Sequence, residues 1–345
     1  TQSLARRGCG GSGATRVMRS RAGMLSLGAI GDRSHAGRMI AIAEATGLAR
    51  VTRIYKPCRT INDPRYCADV DSLLDCDAVL VLSPNDTHLQ YLEALSQRFS
   101  GYLFCEKPPV ASEAQLARLA KLELPKGRTF FDFNLRFGPV REAIDEAREG
   151  GLLGHLVACS AVCTHGLAFK ESYPTSWRAD VARHRLGVAE TVAIHYLDLF
   201  AVLFGDPTEV AYYPSLRSGR GSADDTCRLL LRFPGGATGD VLASYAAPFR
   251  DELWVLGTEG VLTVRDDWLE TRAPRATFDK LGQFTTPPLV RRVQLTAETA
   301  YEASLRGAMR YFLEHVRDAR PLPQALFEQS LATCQHLFAL TSHGD

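Results

Sequence analysis

The 345-residue sequence lacks a strong excess of either charge, because 40 Lys and Arg stand against 39 Asp and Glu. Proteins that bind nucleic acid mainly through its phosphates carry a clear basic excess, so nucleic acid is not expected as a partner. An apolar run of about 20 residues, the length needed to cross a bilayer, is also missing, and we expect no membrane partner. The hydrophobic fraction of 46% is typical of a soluble globular protein.

The nine cysteines lack the spacing of a metal site. Cys-x-x-Cys is absent, and no cysteine pair stands beside a histidine pair as in zinc sites. Several cysteines lie in apolar segments, as Cys105 does, where a thiol behaves as a small hydrophobic group. We therefore predict reduced cysteines, no metal ion and a cytoplasmic location.

Residues 1–23 differ from the rest of the chain because they contain five Arg, five Gly and no acidic residue. The glycines oppose the amphipathic helix of a transit peptide, and no apolar segment of a secretion signal follows Arg6 and Arg7. The strand pattern begins at Met24. We predict a disordered leader over 1–23 and a natural start at Met24.

Residues 24–150 alternate short apolar segments with helical periodicity. Residues 24–30 and 50–55 predict strands, and residues 35–45 predict a helix between them. Residues 77–83 form a nearly continuous apolar run, as in a parallel strand that is covered on both faces. This alternation predicts a Rossmann-like α/β domain with a doubly wound parallel sheet.

Residues 151–345 have a different pattern, in which strand-like segments separated by turn residues dominate. Helices are expected at 188–203, 305–318 and 323–341. The pattern predicts an α+β domain with an antiparallel sheet, which would carry the substrate site and oligomer contacts. The C-terminal helices of this second region are expected to pack back on the first domain.

A glycine-containing turn joins the first strand to the first helix. Such turns bring backbone amides close to a pyrophosphate at a helix N-terminus. The motif is degenerate, because Arg33 and Ala36 occupy the second and third glycine positions counted from Gly31. A plain turn explains the sequence equally well. The candidate cofactor residues of this turn are Gly28, Gly31, Arg33, Ser34 and His35.

The end of the second strand carries cations where an NAD-specific site would carry Asp or Glu. Lys56 and Arg59 would suit a 2′-phosphate, which favours NADP over NAD. The alternative is that both are ordinary solvated side chains on a loop.

Three further segments follow in a fixed order, and together they resemble the glucose–fructose oxidoreductase, inositol dehydrogenase and rhizopine-catabolism family. They are Ser83-Pro-Asn-Asp-Thr-His88, Cys105-Glu-Lys-Pro108 and Gly187-Val-Ala-Glu-Thr-Val-Ala-Ile-His195-Tyr-Leu-Asp198. The resemblance extends over about residues 24–341. It implies an oxidoreductase that uses NADP or NAD, acts on a sugar, nucleotide-sugar or polyol, and has an open second sheet that packs in homodimers or homotetramers.

The resemblance also implies roles for particular residues. His195 would exchange the hydroxyl proton, and Lys107 would polarise the carbonyl and stabilise developing alkoxide charge. Asp198, one helical turn after His195, would orient the ring or bind a substrate hydroxyl. Further cofactor contacts are implied for Ser83, Pro84, Asn85, His88, Glu106 and Lys107.

One departure from the family concerns the position four residues before His195, where an Asp is common and this chain has Thr191. The neighbouring Glu190 faces about 100° away on a helix and does not substitute directly. A regulator or scaffold that binds dinucleotide without turnover is therefore an alternative. A reductase of an imine or tetrapyrrole is another, and it would change only the pocket.

The substrate pocket is expected in the second domain. The candidates are His165, Thr191 and three residues that could bind an anionic or hydroxylated ligand: Arg136, Trp177 and Arg178. The last three could equally hold the two domains together. Overall likeness to some family members suggests a role in surface-polysaccharide biosynthesis.

Overall fold

The computed structural model describes residues 23–57, 62–265, 268–274, 277–295 and 300–340. The predicted leader, apart from Gly23, and the candidate residue Arg59 lie outside these ranges. Within them, no helix is both long enough and apolar enough to cross a membrane.

The first sheet has six parallel strands in the order β3-β2-β1-β4-β5-β6, which is the order of a Rossmann fold. Its strands are β1 Leu25–Ile30, β2 Ala49–Tyr55, β3 Tyr66–Cys67, β4 Ala78–Val81, β5 Tyr102–Glu106 and β6 Thr129–Asp132. Every residue of β4, β5 and β6 is buried, because helices cover both faces of the sheet. The predicted parallel sheet is confirmed.

Helices connect and cover these strands. They are α1 His35–Ala45, α2 His88–Ser96, α3 Glu113–Leu119 and α4 Pro139–Glu149, followed later by α5 Ile194–Phe204, α6 Ala300–Arg317 and α7 Gln324–Phe338. The two C-terminal helices pack on the first sheet: the ring of Phe312 in α6 lies 5.3 Å from that of Phe104, and Phe327 in α7 lies 5.1 Å from Phe131. His315 is buried in α6.

The second sheet has eight strands in the order β14-β13-β12-β11-β7-β10-β9-β8. They are β7 Leu156–Thr164, β8 Glu209–Ser215, β9 Thr226–Arg232, β10 Thr238–Ser244, β11 Arg250–Gly257, β12 Val261–Arg265, β13 Trp268–Arg272 and β14 Leu289–Gln294. Among the described strands of this second sheet, only β7 and β10 pair in parallel, so the prediction of a mostly antiparallel sheet is confirmed. One face packs against α5, and the other exposes large apolar side chains: Tyr213, Leu230, Trp254 and Leu256.

Two helices begin irregularly. Helix α2 follows a 3₁₀ turn over Asn85–Thr87, in which the Thr87 hydroxyl donates to the carbonyl oxygen of Pro84 at 2.7 Å. The helix expected from residue 188 opens with a π-helical segment, Ala189–Ala193, before α5 begins. Such segments occur frequently at functional sites, and apolar periodicity does not reveal their extra residue.

Candidate active site

The carboxyl edge of the first sheet brings the predicted motifs together. Strands β1, β4, β5 and β6 are parallel, so the segments that follow them emerge at one edge. Ligands of doubly wound sheets bind outside this edge, where the strand order reverses between β1 and β4. The glycine turn, the 83–88 segment and the 105–108 segment therefore form the rim of one cleft.

The glycine turn has the geometry of a phosphate cradle. Gly31 has a φ of 100°, and a Cβ there would lie 3.1 Å from the carbonyl oxygen of Leu82. Ser34 precedes α1 with a φ of 51°, and its hydroxyl caps no amide of that helix as described. The start of α1 therefore has no cap from the Ser34 side chain, and it suits an anion such as a pyrophosphate. Gly28 lies inside β1, where a Cβ would lie 3.1 Å from Leu73.

Lys56, proposed for a 2′-phosphate, forms an ion pair with Asp32 of the same glycine turn. The hydroxyl of Tyr66 donates to the other oxygen of Asp32 at 2.8 Å. Partial burial raises the pKa of Asp32, but the hydrogen bonds from Lys56 and Tyr66 outweigh it and lower that pKa overall. Asp32 is therefore ionised at neutral pH and offsets the charge of Lys56. The preference for NADP stays a prediction.

His88 links two of the segments that form the rim of the cleft. Its buried ring contacts the carbonyl oxygen of Pro108 through Nδ1 at 2.8 Å and that of Ser83 through Nε2 at 2.7 Å. Burial lowers the pKa of His88, so the ring is neutral and donates to one of the two oxygens at a time. The segment with Pro84 and Asn85 is thereby fixed against the segment that carries Lys107.

Lys107 follows the end of β5, and its ammonium reaches the second domain. Its Nζ donates to the backbone carbonyl oxygen of Thr191 at 2.5 Å. Burial lowers the pKa of Lys107 to about 8, against the opposing charge of Glu106. Such a pKa lies close to ambient pH, where a group can both donate and accept protons.

His195, on the first turn of α5, is buried and only 5% exposed. Its Nδ1 has no hydrogen-bond partner within the described residues, and its ring meets the edge of Tyr301 at 5.4 Å. Burial, together with the positive charge of Lys107, lowers the pKa of His195 well below its usual range. The ring is therefore neutral and retains a free position for a proton or a hydrogen bond.

Thr191 connects Lys107 to a residue that the sequence did not single out, Tyr245. The hydroxyls of Thr191 and Tyr245 share a short hydrogen bond. The ring of His165 lies 5.0 Å from that of Tyr245. The two residues meet because each follows one strand of the parallel β7–β10 pair. No local motif marks Tyr245, so only the strand order could have revealed it.

Trp177 and Arg178 lie beside this cluster. The guanidinium of Arg178 stacks over the Trp177 ring at 4.3 Å. Burial raises the pKa of Tyr245, whereas the charge of Arg178 and a hydrogen bond from Thr191 oppose that rise. Trp177, Arg178, His165 and Tyr245 thus provide aromatic faces and hydrogen-bonding groups next to Lys107.

Arg136 and Asp198 form a buried ion pair. Arg136 Nε donates to Asp198 Oδ2 at 2.8 Å, and Arg136 Nη2 donates to Oδ1 at 2.5 Å. The Thr333 hydroxyl also donates to Asp198 at 2.7 Å, and Arg136 donates to the Leu326 carbonyl oxygen at 3.0 Å. These bonds link the segment after β6 to α5 and α7. They favour the alternative in which Arg136 holds the domains together, and they engage the carboxylate of Asp198 away from His195.

Glu190 does not take the place of the family's usual Asp. It is fully buried, and its Oε1 accepts from the amide of Leu186 at 2.8 Å. Its Oε2 accepts a long hydrogen bond, 3.5 Å, from the side chain of Asn85. Burial raises the pKa of Glu190 to about 7. Glu190 therefore contacts Asn85 in the 83–88 segment rather than Lys107.

Glu106 contacts the glycine turn, since His35 Nε2 lies 2.8 Å from its Oε1. Its contact with the cofactor stays a prediction. Beside it lies Asp132, which sequence reasoning missed. Asp132 is fully buried, and both of its carboxylate oxygens lack a hydrogen-bond partner within the described residues.

Comparisons with known proteins agree with this fold. Two family models match: the oxidoreductase family with an NAD-binding Rossmann fold (GFO_IDH_MocA) over residues 8–132, and the GFO/IDH/MocA C-terminal domain over residues 140–263.

The chain is 26% identical over 296 residues to inositol 2-dehydrogenase of Rhizobium meliloti, covering 79% of this chain and 82% of that one. It is 26% identical over 247 residues to D-apiose dehydrogenase of Paraburkholderia graminis, covering 68% and 64%. Among solved structures, levoglucosan dehydrogenase in complex with NADH and L-sorbose superposes with a TM-score of 0.77 at 18% identity, covering 93% of this chain and 96% of that one. That likeness shows the shared fold.

Proposed function

Since the chain belongs to the GFO/IDH/MocA family of NAD-binding oxidoreductases, we propose that it transfers hydride to or from a carbinol carbon of a small sugar or polyol. The chain is an NAD(P)-dependent oxidoreductase that acts on CH–OH groups. The proposal concerns the substrate class and the residues that act.

One observation carries the assignment of roles. The ammonium of Lys107 donates a hydrogen bond to the carbonyl oxygen of Thr191, and its positive charge helps to lower the pKa of the buried, neutral His195 ring. A cation and a neutral imidazole are thus placed together at the cleft. In this arrangement Lys107 donates a hydrogen bond to the substrate oxygen, and His195 accepts or returns the hydroxyl proton.

The chain's residues also fit the cofactor. The amides at the start of α1 suit a pyrophosphate, and Gly31 leaves room for close approach of the backbone. A bound nicotinamide would supply the acceptor or donor of hydride. Lys107 and Glu106 would lie on its side of the sheet, because β4, β5 and β6 form the half of the fold opposite the adenosine half.

A carbohydrate substrate suits the residues around Tyr245. Hydroxyl, imidazole and guanidinium groups converge there with the faces of Tyr245 and Trp177. Relatives are named for inositol and D-apiose, which supports a free sugar or polyol ahead of a nucleotide-sugar. A role in surface-polysaccharide biosynthesis remains a narrower proposal that would require a nucleotide-sugar.

The alternative is a dinucleotide-binding regulator, favoured by Thr191 in the position where the family commonly has Asp. The structure supplies a counterargument. Thr191 binds Lys107 through its backbone carbonyl, a group that any residue at this position would supply. The loss of the Asp therefore leaves the lysine in place.

The protein is further proposed to be cytoplasmic and to assemble as a homodimer or homotetramer. The exposed face of the second sheet supports the assembly, since Tyr213, Leu230, Trp254 and Leu256 are each 37–43% exposed on it.

The experiment has two stages. Fluorescence titration of the purified protein with NADH and NADPH should show binding of at least one. Incubation with oxidised cofactor and a panel containing myo-inositol, D-apiose, L-sorbose and levoglucosan should then produce reduced cofactor. Failure to bind either cofactor would overturn the proposal, and binding without turnover across a broad sugar and polyol panel would favour the regulator.

A further inference from the structure

A pair of buried carboxyl groups lies directly beneath the catalytic lysine. Glu106 and Asp132 are the last residues of β5 and β6, and they are partners in the parallel register of these strands. Glu106 is 6% exposed and Asp132 is 0% exposed. Side chains at paired positions of neighbouring strands point the same way, so the two carboxyl groups lie side by side.

Glu106 and Asp132 have different charged neighbours. Glu106 bonds to His35 and precedes Lys107, and the charges of these two residues lower its pKa although burial alone would raise it. Burial, reinforced by the negative charge of Glu106, raises the pKa of Asp132 well above its usual range, with only Lys107 opposing. The other titratable side chains that act on the pair are Cys105 and His88 on the first domain and Tyr301 on α6. Within the pair, ionisation is therefore favoured at Glu106 and protonation at Asp132.

Packing does not explain this acid. A buried carboxyl group packed beside a second carboxyl group is unfavourable, and an apolar residue would end β6 at lower free energy. This cost falls at the carboxyl edge of strands β5 and β6, on the half of the sheet where a bound nicotinamide would lie. Buried acids with displaced titration cluster at functional sites for this reason.

We propose that the Glu106–Asp132 pair is the proton store of the reaction, holding one proton beside a reduced nicotinamide and none beside an oxidised one. The proposal rests on the proposed function. An oxidised ring is positively charged and favours two carboxylates, whereas a reduced ring is neutral and favours the shared proton.

In the direction of alcohol oxidation, the substrate loses one hydride and one proton. The C–H bond of the carbinol breaks and its hydride leaves for the nicotinamide, while the O–H bond breaks and its proton passes through Lys107 and His195. The doubly ionised pair then takes up that one proton. No proton need leave for solvent during hydride transfer, and in reduction the pair returns its proton to the product alcohol.

Calorimetry tests this without a known substrate. Titrations of the full chain with oxidised and reduced cofactor, each in phosphate and in Tris at pH 7, yield the protons released on binding. The oxidised form should release up to about one proton per site more than the reduced form. Equal release by both forms, although both bind, would overturn the proposal and leave the proposed function intact. Absence of binding would instead overturn the proposed function.

Two variants locate the effect. Asp132→Asn keeps the shape and removes the titrating group, so the difference between the two cofactor forms should vanish. Asp251→Asn is the matched control, because Asp251 is another acid of raised pKa, bonded to Tyr196 away from the pair. A difference that survives in Asp132→Asn, or that disappears in Asp251→Asn, would contradict the assignment. The wild-type comparison decides the matter should Asp132→Asn fail to fold.

Discussion

At the junction of the two domains, Arg136 and Asp198 are buried with their hydrogen-bonding groups engaged. At the carboxyl edge of the first sheet, buried Asp132 and His195 keep atoms without partners in the described structure. The first arrangement fixes elements of both domains to each other. The second leaves polar groups desolvated at a place where a ligand can relieve the cost. The engaged groups therefore hold the structure together, whereas we propose that the groups without partners take part in the chemistry.

Breaking the satisfied cluster should have the largest effect on stability. Arg136→Ala leaves the Asp198 carboxylate buried without its cation, which should lower the free energy of unfolding by about 3–5 kcal/mol. Urea denaturation measures the loss. Arg183→Ala removes a more exposed partner of Asp86 and should change stability by no more than about 1 kcal/mol. Equal losses would show that the buried pair is not a structural link.

Changing Lys107 or His195 at the cleft should instead affect turnover. Lys107→Ala and His195→Ala should each reduce turnover by a factor on the order of 10² or more, because each removes a positioned proton-transfer group. Steady-state rates with the substrate found in the panel measure this. Lys126→Ala, which removes a half-exposed lysine near Glu328, should remain active. Full activity of either site variant would refute its role.

The pH dependence sharpens the comparison further. Reduction of a carbonyl requires protonated Lys107, whose pKa is lowered to about 8 by burial. The reduction rate should be constant below that value and fall about tenfold per pH unit well above it. The pKa of His195 lies well below its usual range, so His195 does not change the pH dependence of the rate near pH 8. Lys107→Arg should abolish the fall, because arginine stays protonated, and a wild-type rate that is flat to pH 10 would contradict the assignment.

The smallest expected effect concerns cofactor choice. Asp32→Asn removes the charge that offsets Lys56, so the affinity for NADPH relative to NADH should rise about fivefold, a near-surface charge effect of about 1 kcal/mol. Fluorescence titration measures both dissociation constants. Lys56→Ala should move the ratio in the opposite direction. An unchanged ratio in both variants would place this ion pair outside the ribose site.

The parts of the site that follow local motifs could be predicted from the sequence. The Rossmann sheet was predicted from the alternation of strands and helices, and it is confirmed. Lys107 and His195 came from the family resemblance, and their catalytic roles stay predictions. Tyr245 and Asp132 could not be identified in this way. Each lies at an ordinary strand end, and its importance comes from a parallel neighbour, β7 for Tyr245 and β5 for Asp132.

The roles of Arg136 and Asp198 show the same limit. The two residues are 62 positions apart, and α7 supplies further partners from later in the chain. Sequence spacing placed Asp198 beside His195, one turn along the helix. Tertiary packing turned its carboxylate toward Arg136 instead, so a residue next to the chemistry became part of the scaffold.

The central claim is that Lys107 and His195, beside the carboxyl edge of the first sheet, carry out the proton transfer that accompanies hydride transfer. It is tested most directly by the rate of cofactor reduction with a small sugar or polyol in wild type and Lys107→Ala, alongside the cofactor dissociation constant of each. We predict turnover in wild type, a loss on the order of 10² in the variant and retained cofactor binding. Equal turnover in the two proteins, or bound cofactor with no turnover of any sugar or polyol by wild type, would contradict the account.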